Sequence, residues 1–194
     1  MKRLCCLNNY NKYQNLCFSR LRAQNLPLLL NWLNQPHVRA FYQPEAIDSI
    51  AISKKYRPRL IQQSPIHCYI ISFERIPIGY IQTYLISSDL DISRTLQVKD
   101  GASIDLYVGN SAFLRQGLGP LIELKFLQEI VFKKFLTHRC YVYHEVENVA
   151  ALKASEKAGF QYVRDLEEDG KLNRVLLIMK EDVERRVNGL LNQK

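Results

Sequence analysis

The sequence predicts an α/β fold in a single unit, and three observations carry that expectation. Short runs rich in β-branched and aromatic residues recur along the chain from Asn15 to Lys180. Two pairs of these runs are joined by brief polar connections, "FERIP" and "EEDG", which read as hairpins. Between the hairpins, "SIDLYVG", a long apolar-periodic stretch, "HRCYVYH" and "ENVAALKASEKAGF" alternate strand, helix, strand, helix.

In chain order, "NLCFSRLR" (15–22) alternates apolar and polar side chains and reads as a strand. "LPLLLNWLNQP" (26–36) brackets an apolar cluster with prolines and fits a short helix. A further helix is expected around 45–62, then two strands within "HCYIISFERIPIGYIQTYLI" (67–86). Residues 87–101 are polar and read as loop. A strand at 103–109 precedes a helix running to about Phe135, and a strand follows at 138–144. The next helix stops at Gly159, a C-cap signal. The second hairpin, "QYVRDL" with "KLNRVLLIMK", completes the sheet, with the core expected over about 15–180. Residues 181–194 read as a polar helix or tail. No repeat, linker or internal boundary interrupts residues 1–194, so one domain is expected.

At 194 residues and 22.7 kDa the chain is long enough to bury one good core. No apolar run approaches the roughly 18 residues that a membrane span needs. The N-terminus begins with basic residues but lacks the apolar centre of a secretory signal, so a cytoplasmic protein without membrane attachment is expected. Five cysteines (Cys5, Cys6, Cys17, Cys68, Cys140) show no zinc-ligand spacing, and no metal is expected.

The net charge of +8 raises the question of a nucleic-acid partner. Six bases and no acid fall in residues 1–44, leaving 21 bases against 19 acids in the remainder. No block of Lys and Arg interleaved with aromatics occurs, which makes nucleic acid an unfavoured partner and leaves tRNA as a minor alternative. The excess equally suits a phosphorylated small ligand.

"SAFLRQGLGPLIELKFLQEIVFKKF" (111–135) changes from small and polar to apolar-periodic at Gly117, Gly119 and Pro120. A strand, a glycine turn and a helix N-terminus together form a device for holding an anion. The first helical amides lack partners, the macrodipole adds positive charge, and glycine lets a phosphate approach the backbone. Pro120 suits the first turn, and Arg115 and Gln116 add donors. The alternative is a tight turn with no ligand.

Taken together, "IDLYVG", "LRQGLG" and "EVENVAALKASEKAGF" resemble the GNAT superfamily of N-acetyltransferases, over about residues 15–180. The resemblance implies a mixed, mostly antiparallel central sheet flanked by helices. It also implies acetyl-CoA as co-substrate, held by Tyr107, Val108, Arg115, Gln116, Gly117, Leu118 and Gly119, with Asn148 on the pantetheine arm. One departure is that the family's first turn position, Gln or Arg, is Leu114 here, with Arg115 one residue late. Within the superfamily, Trp32 in "NWLNQPHVRAFY", "PIGYIQTYL" and Asp105 in "SIDLYV" are most similar to aminoglycoside 6'-N-acetyltransferases. Acyltransferases that acetylate hydroxylysine in siderophore assembly share part of this set.

Such a reaction needs a base for the attacking amine and an acid for the departing thiolate. Asp105 and Asp91 are the candidate carboxylates, with Gln82 and Tyr84 alternating on one strand face beside them. Asp89 and Asp91 read equally as solvated loop residues, and Trp32 either walls the acceptor pocket or anchors the core. Many family members place a tyrosine seven residues after the asparagine as the acid; here that position is Ser155, with Tyr107 and Tyr143 as alternatives. His37 and His144 read as packed or surface residues. The expected activity is acetyl transfer to a small-molecule amine of aminoglycoside type, by a monomer or homodimer. The alternatives are a siderophore hydroxylamine, a protein N-terminus, aminoacyl-tRNA, or a regulator that binds acyl-CoA without catalysis.

Overall fold

The computed structural model describes residues 8–192, so Cys5, Cys6, Lys2 and Arg3 lie outside the described residues. Helix α1 (Asn9–Asn15) is capped by Asn8, whose side chain accepts from the Asn11 amide, and it leads into β1 (Leu16–Arg20). Helices α2 (Leu26–Leu33), α3 (Pro36–Arg39) and α4 (Ser49–Tyr56) follow, the first two with proline in the opening turn, where its missing N–H costs nothing.

Strands β2 (His67–Phe73) and β3 (Ile76–Leu85) form the first hairpin. Its two turn residues, Glu74 and Arg75, both have positive φ, the type I′ geometry that matches strand twist. Neither is glycine or asparagine, so the sequence offered no sharp turn signal there. The expected loop at 87–101 instead contains α5 (Leu90–Leu96). Asp89 caps it through the Asp91 and Ile92 amides, both at 3.1 Å, and Leu96 is fully buried beneath it.

Strand β4 (Ala102–Val108) is followed by α6 (Leu118–Phe126), a π-helical segment (Leu127–Val131) and α7 (Phe132–Lys134). The single helix expected to Phe135 is thus broken in register midway. Strand β5 (Arg139–Glu145), helix α8 (Val149–Ala158), strands β6 (Gln161–Glu168) and β7 (Lys171–Met179), and helix α9 (Lys180–Leu191) complete the chain. Gly159, at φ +107, ends α8 as the sequence predicts.

All seven strands share one sheet in the order β1-β2-β3-β4-β5-β7-β6. Every neighbouring pair is antiparallel except β4 with β5. One face packs against α6, α8 and α9 through Phe126, Leu127, Leu152, Val183 and Val187. The other packs against α2 and α4 through Leu29, Trp32, Leu33, Ile52 and Tyr56, with Tyr80 and Tyr107 from the sheet. Alternation along β4 therefore turns Ile104, Leu106 and Val108 toward α6, and Asp105 and Tyr107 toward α2 and α4.

Two close approaches fix the neighbourhood of β4. Trp32 lies directly on Gly109, where a Cβ would fall 2.1 Å from the indole ring. Where α6 crosses α8, a Cβ on Gly119 would lie 3.0 Å from the Ala154 Cβ. A side chain at Gly119 would thus press on the α6–α8 crossing. We expect Gly119→Val to destabilise the fold by about 1–3 kcal/mol through overpacking. That corresponds to a Tm fall of about 2–4 °C per kcal/mol in calorimetry. We expect Trp32→Ala, which empties the site above Gly109, to cost about 3–5 kcal/mol in denaturant unfolding. A Tm unchanged in either variant would contradict these packing roles.

Candidate active site

Strands β4 and β5 pair only at Ala102↔Cys140 and Ser103↔Tyr141, then part. A cavity of about 920 Å³ opens between them, walled by Ile104 to Val108 on one side and Tyr143 to Glu145 on the other. Beyond Ser103 the β5-facing edge of β4 has no strand partner.

One end of this cavity is the glycine turn, with Arg115, Gln116, Gly117, Leu118 and Gly119 in its wall. Arg115 (φ +57) and Gly117 (φ +72) both take left-handed backbone conformations, and no side chain caps the first amides of α6. A Cβ built on Gly117 would meet nothing within 4 Å, so open space lies over this turn. Lys153 and Lys157 of α8 line the same cavity. Lys12 anchors the turn by donating to the Gln116 carbonyl at 3.0 Å. The Gln116 side-chain amide donates to the Ala112 carbonyl, and its Oε1 is buried without a partner. Unpaired helical amides, added cations and an open surface are the features that bind phosphate.

Asn148 stands in the cavity wall and caps α8, accepting from the Ala151 amide at 3.3 Å. Val108 stands in the cavity wall, and its carbonyl accepts from His37 Nε2 at 2.9 Å, which ties the end of β4 to α3. Tyr107 stacks on Tyr80 with ring centroids 5.4 Å apart, and its hydroxyl is buried without a partner.

The other end of the cavity is organised by Asp105, whose Oδ2 accepts from Gln82 Nε2 at 2.6 Å. Gln82 Oε1 in turn accepts from Arg59 at 2.8 Å and lies 2.7 Å from the Tyr80 hydroxyl. Two donors on Oε1 fix the amide so that its N–H must point at Asp105. Burial pushes the Asp105 carboxyl up, opposed by the Gln82 hydrogen bond and the Arg59 charge. Tyr42, Lys55, Arg59, Tyr84 and Asp89 share this end. Lys55 donates to Gln43 at 2.8 Å, and burial and then Arg59 lower its pKa.

Three expected site residues fall elsewhere. Asp91 is on the outer side of α5, its side chain 94% exposed and paired with Arg94 at 3.5 Å. Asp89, two residues earlier, is the loop carboxylate that reaches the cavity wall, because capping α5 turns it inward. Trp32 does not line the cavity; Gly109 and Tyr107 take up its ring. Ser155 is fully buried on the inner face of α8 and does not line the cavity either.

Ser155 connects two residues that do. Its Oγ is hydrogen-bonded to Glu123 Oε1 at 3.0 Å and lies 3.0 Å from His144 Nε2. Burial raises the Glu123 carboxyl to about 8, against the lowering effect of the Ser155 hydrogen bond. Burial also lowers His144 to about 4. Glu123 escaped the sequence reading, although a lone carboxylate inside "PLIELKF" was a visible anomaly in an apolar helical turn.

Residues 22–167 match the family described as the acetyltransferase (GNAT) domain. The chain is 26% identical to aminoglycoside N(6')-acetyltransferase type 1 of Klebsiella pneumoniae over 154 residues, 78% of this chain and 76% of that protein. Among solved structures it is similar to AAC(6')-Ib in complex with paromomycin and acetyl-CoA. That match has a TM-score of 0.73 at 21% identity and covers 88% of this chain and 97% of that one. It is also similar to spermidine N-acetyltransferase from Vibrio cholerae with CoA and spermine (TM-score 0.67, 14% identity, 88% of this chain and 99% of that one). The family match spans most of the sheet and both walls of the β4–β5 opening, and the chain is a GNAT-family acetyltransferase.

Proposed function

We propose that this acetyltransferase moves the acetyl group of acetyl-CoA to a primary amine of an aminoglycoside-like small molecule by direct attack. The observation that carries the reading is the β4–β5 opening, with unpaired helical amides at one end and Asp105 at the other. The pyrophosphate suits the first turn of α6, and the pantetheine arm suits the unpaired edge of β4 beside Asn148. Direct attack then needs the amine held near the thioester and relieved of a proton. Asp105 is suited to both tasks, because burial raises its pKa toward that of a working base and Gln82 fixes its orientation. The curated relative's acceptor class supports an aminoglycoside. A cytosolic protein is consistent with this co-substrate.

A second reading has a specific observation behind it. Lys55 and Arg59 stand in the same wall as Asp105 and Asp89, so fixed cations face the acceptor as well as carboxylates. Such a surface favours an acceptor with an anionic group near its amine or hydroxylamine, as in siderophore precursors, over a purely cationic one.

Thiol release from acetyl-CoA, followed with kanamycin, spermidine and an N-hydroxylated amino acid, separates the two readings. The first predicts the highest kcat/KM with kanamycin, and the second with the hydroxylamine. Under either, Asp105→Asn should cut turnover by about 10²–10⁴-fold. Its CoA affinity by calorimetry should stay within about twofold, since a difference of under 0.5 kcal/mol is expected at a residue remote from the phosphates. Full turnover in Asp105→Asn would remove the base from the account.

A further inference from the structure

We infer that Glu123, Ser155 and His144 form a proton relay that opens into the cavity and protonates the departing thiolate. The inference rests on the acyl-transfer reading above. Its geometry is continuous: Glu123 Oε1, Ser155 Oγ and His144 Nε2 are joined by two contacts of 3.0 Å. The serine is fully buried, while Glu123 and His144 both reach the cavity wall. Among the described residues, His144 Nδ1 has no protein partner, and Glu123 Oε2 is buried with none.

The placement relative to the sheet gives the relay its direction. Cys140, Val142 and His144 alternate along β5 toward the α6 and α8 side, whereas Asp105 projects from the opposite sheet face. An amine held at Asp105 and a sulfur leaving past His144 therefore flank the opening from opposite faces.

The two ends favour neutral forms at rest. A buried carboxylate with an unpartnered oxygen is costly, so Glu123 keeps its proton up to about pH 8. Desolvation likewise keeps His144 uncharged. The groups that act on Glu123 are Ser155 from α8 and Cys140 from β5, and the Cys140 thiol is itself pushed up by burial, by the Glu123 charge and by that of Asp105. Lys125 stands elsewhere on α6, paired with Glu129 at 3.2 Å.

At rest Glu123 donates its carboxyl proton to Ser155 Oγ, and Ser155 donates to His144 Nε2, which leaves the imidazole proton on Nδ1. As the C–N bond forms and the C–S bond breaks, Nδ1–H gives its proton to sulfur. His144 Nε2 takes the serine proton, and Ser155 Oγ takes the glutamic proton. The products are the CoA thiol, a neutral imidazole protonated on Nε2, an intact serine and the Glu123 carboxylate. Reversal of the chain, with Nδ1 taking a proton from water, resets it. The 3.0 Å contact between Ser155 Oγ and Glu123 Oε1 carries a proton in either direction, from the carboxyl before transfer and from the hydroxyl after it.

The test uses the whole protein and the variants Glu123→Gln and Ser155→Ala, with fold and CoA affinity checked first. Long-range ¹⁵N NMR of the CoA complex should show His144 on the Nδ1–H tautomer at neutral pH. It should switch to Nε2–H as Glu123 ionises near pH 8. Neither variant should switch. With kanamycin as the acceptor probe, wild-type kcat should fall as pH rises through about 8, because the protonated form of Glu123 is the donor. Both variants should lose that alkaline limb and about 10²-fold or more in kcat. A wild-type histidine that keeps one tautomer across this range overturns the relay, as do variants with wild-type pH profiles. Absence of turnover with every acceptor counts against the acceptor reading alone, and the tautomer then decides the relay. Should Glu123→Gln fail to fold, Ser155→Ala decides by the same readouts.

Discussion

The site depends on a competition between strand pairings. β4 is registered against β3 through seven residue pairs, and β5 against β7 through seven. Between themselves β4 and β5 keep two. Each strand is held by its antiparallel neighbour, and the right-handed twist of a sheet then carries the two apart once their short parallel contact ends. Unsatisfied backbone polar groups left by such a parting are costly in a protein interior. They are tolerable where a ligand or water completes them, and here the parting lies in a cavity.

The surrounding contacts maintain that geometry. Trp32 clamps Gly109, His37 holds the Val108 carbonyl, and the tyrosine cluster of Tyr42, Tyr56, Tyr80 and Tyr107 braces β4 from below. On the opposite sheet face, the close crossing at Gly119 and Ala154 sets α8 against α6 and so brings Ser155 to Glu123. Charge is divided along the cavity. Arg115, Lys153 and Lys157 line the same wall as the glycine turn, whereas Asp105 is balanced through Gln82 by Arg59. A carboxylate so balanced stays in a partly buried position without a direct ion pair.

Much of this was legible in the sequence because local rules decide it. Gly117, Pro120 and Gly159 mark helix ends through chemistry that acts within a few residues, and the strands of both hairpins follow from β-rich runs joined by short polar connections. Asp105 was legible because a carboxylate in a β-rich strand demands a partner. What failed depends on orientation set by distant parts of the chain. Asp89 and Asp91 differ only in which side of a capped helix turn they occupy, and α5 itself rests on burial of Leu96. Trp32 is explained by the backbone of Gly109, 77 residues later, and Ser155 by Glu123 on another helix. Pattern in one segment holds no record of such partners. The Glu74-Arg75 turn shows the same limit, since its left-handed residues follow from strand pairing and not from turn-forming side chains.

Hydrogen–deuterium exchange with and without acetyl-CoA tests the central claim most directly, that the parted β4 edge and the first turn of α6 form one binding surface. The account predicts slower exchange at residues 104–108 and 117–121, by about tenfold when acetyl-CoA is present at about ten times its Kd. The amides of β1 and β2, remote from the opening, should be unaffected. Protection spread evenly over the sheet, or none in those two segments with ligand bound, would contradict it.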